Sequence, residues 1–108
     1  MNRGEVWWLE FDPALGSEIR KTHPAVIVSN DAANLHLPRL QVIPLSNKMQ
    51  RVYPSETVVT VAEQKSKAMA DQIMTADKWR LKEYFGKLTQ ANMRAVEVVI
   101  KIHLGIDV

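Results

Sequence analysis

The chain has 108 residues, 46% of them hydrophobic, and a formal net charge of +2. That length supports one core and is too short for two ordinary domains, and so small a charge does not by itself argue for a nucleic-acid partner. The absence of cysteine removes disulfides, thiol nucleophiles and thiolate metal ligands, and fits a reducing compartment. His23, His36 and His103 have no metal-ligand spacing, so neither a metal nor another cofactor is expected. No stretch approaches the roughly 20 apolar residues of a membrane span. The first apolar run is broken by Glu10 and Asp12, too soon for a signal peptide. A soluble, cytoplasmic protein with no membrane partner is expected.

In chain order, residues 5–11 read as a strand that ends at the turn signal Asp12-Pro13. Neighbouring strand residues face opposite sides, so core packing is expected of at least one of Trp7 and Trp8; if the other is outside, a dimer interface would hide it. A polar, cationic loop follows at 16–24. Residues 25–29 form a short β-branched run bounded by Pro24 and by Asn30-Asp31, and residues 40–45 form another, in which Pro44 suggests an edge or bulge. His36 falls in the loop expected between them. Residues 56–61 continue the pattern. Residues 67–73 and 83–88 are weaker strands, separated by Thr75-Ala76-Asp77-Lys78, which opens a single helical turn at Trp79.

The final segment is ambiguous on periodicity alone: Val96, Val98, Ile100 and Ile102 alternate as in a strand, while Met93, Val96 and Ile100 share a helix face. Length decides. Residues 90–104 span about three times an ordinary strand, Thr89 can cap a helix start, and Gly105 can close its end. His103 sits on this helix. Several short strands and one C-terminal helix give a mainly β fold, a small antiparallel barrel or curled sheet, as a single domain over 1–108.

The stretch Gly16-Ser17-Glu18-Ile19-Arg20-Lys21-Thr22-His23-Pro24 concentrates charged and hydrogen-bonding groups between two apolar segments, the kind of loop that carries function. With Arg3-Gly4-Glu5-Val6-Trp7 before it and Ala25-Val26-Ile27-Val28-Ser29-Asn30-Asp31 after it, it resembles the start of the MazF/PemK-family toxins, the ribonuclease halves of bacterial toxin–antitoxin modules. Val42-Ile43-Pro44-Leu45-Ser46-Asn47-Lys48, Ala70-Asp71-Gln72-Ile73 and the segment from Leu88 to Gly105 follow in the family's order. The resemblance covers nearly the whole chain. It implies an SH3-like barrel of the MazF/CcdB type with a long C-terminal helix, a homodimer, and a cognate antitoxin whose disordered acidic tail covers a cationic groove.

The implied activity is sequence-specific, metal-independent cleavage of single-stranded RNA, mainly messenger RNA, by 2′-hydroxyl attack, leaving a 2′,3′-cyclic phosphate and a 5′-hydroxyl. That chemistry needs a base for the 2′-hydroxyl proton, positive charge or donors for the developing phosphorane, and an acid for the leaving oxygen. Glu18 can accept a proton or orient a base. Arg20 and Lys21 can contact phosphate, and His23 can both donate and accept a proton near neutrality. Pro24 biases His23 towards extended backbone at the edge of the next strand. By resemblance, Ser46 falls on the family's second catalytic position, where its hydroxyl bonds a phosphate oxygen. Asp71 and Gln72 match an acidic-Gln pair that lines the family's RNA groove. Base choice is expected from the loop that carries Ser17, Lys21 and Thr22, and from the segment of Asn47, Lys48 and onward to Tyr53.

One position departs from the family. Its catalytic arginine stands directly before the proline, where this chain has His23. Arginine brings permanent charge and a bidentate grip on phosphate, whereas histidine offers one donor per nitrogen. Either His23 is itself the acid or base, or Arg20 supplies the missing charge, or the nuclease is weakened; the reading adopted is activity by one of the first two routes. Without the resemblance the residues read more plainly. Glu18 and Arg20 make a surface ion pair, Ser46-Asn47 a turn or cap, Asp71 and Gln72 a polar strand end, and Lys48 with Arg51, Lys65 with Lys67, and Lys78 with Arg80 and Lys82 solvated surface. The competing function is a non-nuclease toxin on the same fold, gyrase-directed and CcdB-like, or an attenuated relative that binds RNA or antitoxin without cutting.

Overall fold

A computed structural model describes residues 1–11 and 22–107. Strands β1 (Glu5–Glu10), β2 (Thr22–Ile27), β3 (Arg39–Ser46), β4 (Glu56–Val61), β5 (Gln64–Met69), β6 (Met74–Asp77) and β7 (Leu81–Lys87) form one sheet in the order β4-β5-β3-β2-β1-β7, with β6 also paired to β3. A short helix α1 (Asp31–His36) links β2 to β3, and α2 (Gln90–Leu104) follows β7. All the pairings are antiparallel. This is the mainly β architecture with a C-terminal helix that the sequence implies.

Burial on both sides of the sheet explains the dense apolar runs of β2 and β3. With side chains alternating, Val26, Ile43 and Leu45 enter one core together with Val6, Val59, Val61 and Ala68, closed by Met93, Val96 and Val99 of α2. Ala25, Ile27, Leu40 and Val42 enter a second core with Leu9, Ala76 and Leu81. The sheet curls until the ends of the strand path meet. A Cβ on Gly86 of β7 would lie 2.7 Å from Cγ2 of Val61 on β4, so the approach requires glycine.

Helix α2 has the bounds that its caps predict. The Thr89 side chain accepts from the Asn92 backbone N–H at 3.1 Å, and Gly105 adopts a left-handed φ of 72°. The single helical turn at Trp79 is also present, as a 3-10 turn over Lys78–Arg80.

Other elements differ from the sequence reading. Pro44 is not on an edge, because β3 lies inside the sheet; its missing N–H falls where β3 changes partner, between Val42–Met74 and Leu45–Ala68. Asn30-Asp31 opens α1 rather than a bare turn, since the Asn30 side chain accepts from Ala33 N–H at 2.8 Å, and His36 therefore ends a helix. β2 starts at Thr22, before Pro24. β5 starts at Gln64 and ends at Met69, after which Ala70–Gln72 is a 3-10 turn. Its start was hidden because the two-residue hairpin turn uses Ala62 and Glu63, at φ 49° and 64°, with none of the Asn or Gly that signals such a turn. Met74–Asp77 is a strand held by β3, with only Ala76 buried. Trp7 and Trp8 do face apart, Trp7 packing edge-on to Tyr84 at 5.8 Å and Trp8 meeting Phe85 at 5.3 Å, but both are half-buried.

Candidate active site

The second sheet face changes character along its length. Ala25 pairs with Pro44, and Ile27 with Val42; the pairing ends there, and the same register carried two residues further would bring His23 toward Ser46. His23 pairs with Leu9, is exposed, and holds its ring 5.3 Å from that of Phe11. Thr22, also exposed, pairs with Glu10. Ser46 is half-buried, and its hydroxyl accepts from the Lys48 backbone N–H at 3.1 Å, a serine turn that leaves Asn47 and Lys48 exposed beside it.

Ser46 pairs on its other side with Lys67. Lys67 and Glu56 sit diagonally across the β4–β5 hairpin on this same face. The Lys67 ammonium lies 3.3 Å from Glu56 Oε1, and the two side chains are only 12% and 6% exposed. The same carboxylate oxygen accepts from the Tyr53 backbone N–H at 2.9 Å, while Lys67 Nζ donates to the Arg51 carbonyl at 3.0 Å. Tyr53 C=O in turn accepts from Glu56 N–H at 2.9 Å. These bonds fasten the end of the β3–β4 loop to β5, next to Ser46.

Asp71 and Gln72 lie on the 3-10 turn after β5, both exposed. The turn is anchored by Ala70, whose N–H donates to Ser55 C=O at 3.0 Å. The Gln72 amide contacts Met69 Sδ at 3.6 Å, and Met69 pairs with Glu56. His23 and Ser46 thus lie toward one end of the second face, with Asn47 and Lys48 following Ser46 and Thr22 next to His23, while Asp71 and Gln72 lie on the turn that follows β5. Ser17, Glu18, Arg20 and Lys21 lie outside the described residues. Sequence reasoning missed Glu56 and Lys67. A two-residue turn at 62–63 fixes their diagonal pairing, but that turn carried no signal. His36 and His103 are exposed and away from this cluster.

The amino-terminal end is a structural anchor. Arg3 donates from its backbone N–H to Asp31 Oδ1 at 2.7 Å and from Nε to Val28 C=O at 2.9 Å, and pairs with Glu97 at 2.9 Å. The bond from the Arg3 N–H is the main cause holding the Asp31 carboxyl below its ordinary range. For Glu5, burial pushes the carboxyl up, but hydrogen bonds from the Trp7 indole and the Asn2 backbone, with the nearby positive charges of the N-terminus and Lys87, outweigh it and leave the group lowered.

A curled antiparallel sheet with a capped C-terminal helix, bearing histidine, serine and lysine toward one end of its second face, defines a class of small, mainly β proteins. The family of PemK-like, MazF-like toxins of type II toxin–antitoxin systems matches residues 2–104, and the chain belongs to that family. It is 34% identical to the endoribonuclease MazF9 of Mycobacterium tuberculosis, with 98% of each chain covered. It is 32% identical to the endoribonuclease MazF of Staphylococcus saprophyticus, covering 98% of this chain and 92% of that one. Among solved structures, a mycobacterial endoribonuclease in complex with its cognate antitoxin superposes with a TM-score of 0.85 at 27% identity, covering 100% and 98% of the two chains. MazF from Deinococcus radiodurans shares the fold with a TM-score of 0.81 at 23% identity, covering 98% and 97%.

Proposed function

We propose that this chain is the toxin of a type II toxin–antitoxin pair and acts as a sequence-specific endoribonuclease on single-stranded messenger RNA. The reading takes residues 1–108 as one toxin domain, working in the cytoplasm as a homodimer and neutralised by a cognate antitoxin. The observation that carries it is the register that runs from Ala25–Pro44 toward His23 and Ser46, in a chain whose relatives are named endoribonucleases. In this scheme the scissile phosphate lies between β2 and β3. His23 exchanges a proton with the 2′-hydroxyl or the leaving 5′-oxygen, and the Ser46 hydroxyl donates to a non-bridging oxygen. Glu18 orients or accepts a proton, and Arg20 brings the permanent charge that histidine at position 23 does not. Thr22, Asn47, Lys48, Asp71 and Gln72, with Ser17 and Lys21, hold the flanking nucleotides.

His23→Ala, Ser46→Ala and Glu18→Ala are each expected to lower cleavage by roughly 10²-fold or more with unchanged circular dichroism; wild-type turnover in all three would remove the assignment. The ends of the products test the chemistry. Attack by the 2′-hydroxyl leaves 5′-hydroxyl ends that polynucleotide kinase labels without prior phosphatase, and a substrate with 2′-deoxyribose at the cut site stays intact. Ends that need phosphatase first would refute it.

A further inference from the structure

Tyr53, at the end of the β3–β4 loop, carries an aromatic ring that neither the stability of the fold nor the proposed proton transfers require. Tyr53 is 51% exposed, so its ring adds little to either core. Its backbone is nonetheless fixed at both polar groups, the N–H by the Glu56 carboxylate and the C=O by the Glu56 N–H. Two cations flank the ring, the Arg51 guanidinium at 5.8 Å and the Lys67 ammonium at 6.0 Å from its centroid, within the range of cation–π attraction. Lys67 pairs directly with Ser46 on the same sheet face, so Lys67 links the ring to the strand that carries Ser46.

We infer that Tyr53, Arg51 and Lys67 form a nucleotide seat in which an unpaired base adjoining the cut stacks on the Tyr53 ring while its phosphate lies against the two cations. The inference rests on the ribonuclease reading and adds the residue that grips a base. A flat, half-exposed ring on an immobilised backbone loses little freedom when a base stacks on it. Stacking tolerates any base, because each has a π-face. Flanking charge supplies the backbone contact that a stacked single strand needs. Glu56 is the positioning residue, since one carboxylate orients both Lys67 and the Tyr53 backbone. Tyr53 therefore acts on RNA affinity and on where the strand lies, not on the proton transfers.

The test uses the full chain and a short single-stranded RNA of randomised sequence, blocked against cleavage by 2′-O-methyl sugars and carrying a fluorescent 2-aminopurine, whose emission falls when it stacks. Wild-type protein should quench the probe. Tyr53→Ala should weaken binding by about 5- to 20-fold and lose most of the quenching, and Tyr53→Phe, which keeps the ring, should recover both. On cleavable RNA, Tyr53→Ala should raise KM more than it lowers kcat. Thermal melts matching wild type would show that the exposed position tolerates the changes. Binding and quenching unchanged in Tyr53→Ala would overturn the seat, as would a wild-type protein that does not bind the probe, or a Tyr53→Phe variant no better than Tyr53→Ala. A wild-type protein that binds and quenches the blocked RNA but never cuts ordinary RNA would leave the seat standing and refute the nuclease reading alone.

Discussion

On one face of the sheet, Val26, Ile43, Leu45 and Val59 vanish beneath Met93, Val96 and Val99 of α2; on the other, the same strands run from buried Ile27 and Val42 out to His23 and Ser46. The first face is closed by α2, whose two ends are capped by Thr89 and Gly105. The second loses its apolar character within two residues, and there it acquires histidine, serine, a lysine paired with glutamate, and a fixed tyrosine. Alternation along β2 and β3 thus puts the proposed site, and the second core it borders, on the face opposite α2. Substitutions on the two faces should separate accordingly.

The largest stability effect is expected on the first face. Ile43 is fully buried, so Ile43→Ala should cost about 2–5 kcal/mol in urea unfolding, with activity lost only as the protein unfolds; a loss below about 1 kcal/mol would contradict the packing described. Next comes the closure of the curl. Gly86→Ala places a methyl 2.7 Å from Val61 and should cost about 1–3 kcal/mol, and a neutral result would mean that β4 and β7 do not meet there. A smaller gain is expected from Glu63→Gly, which relieves the left-handed residue at φ 64°. Denaturation should show a stabilisation of roughly 0.5–1 kcal/mol, the relief of strain being partly offset by glycine's freer unfolded chain.

The smallest effect is a pH dependence of the amino-terminal anchor. Asp31 and Glu5 are both lowered from ordinary values of 3.8 and 4.5. Unfolding therefore releases groups that bind protons more readily, so their contribution is present above those values and lost as pH falls through the folded ones. Urea midpoints should drop between about pH 5 and pH 3, and Asp31→Asn should make that drop shallower. An identical drop in the variant would place the acid sensitivity elsewhere.

How far the sequence announced this molecule follows from how local each signal was. Helix α2 was legible to the residue because Thr89 and Gly105 carry its caps, and β4 because Glu56–Val61 is rich in β-branched residues. The interior place of β3 was not, since Pro44 mimics an edge residue and only the change of partner from β6 to β5 explains it. In the site, His23 and Ser46 were legible through the motifs around them, and their alignment through neither, because it depends on the β2–β3 register. Lys67 read as one solvated lysine among several; its pairing with Glu56 rests on a hairpin whose turn residues, Ala62 and Glu63, give no warning. The Gly16 to Pro24 motif carried the functional reading, yet Ser17, Glu18, Arg20 and Lys21 fall outside the described residues and rest on sequence alone.

Everything in the proposed site depends on a histidine-bearing member of this family cutting RNA with its own side chains. Purified protein, freed of antitoxin and incubated with a long single-stranded RNA in EDTA, tests it most directly, with 5′ ends read by primer extension. Discrete cuts at a recurring short sequence are predicted, abolished together by His23→Ala and Ser46→Ala. Intact RNA in the presence of folded protein would contradict the account and favour the non-nuclease toxin or the attenuated binder.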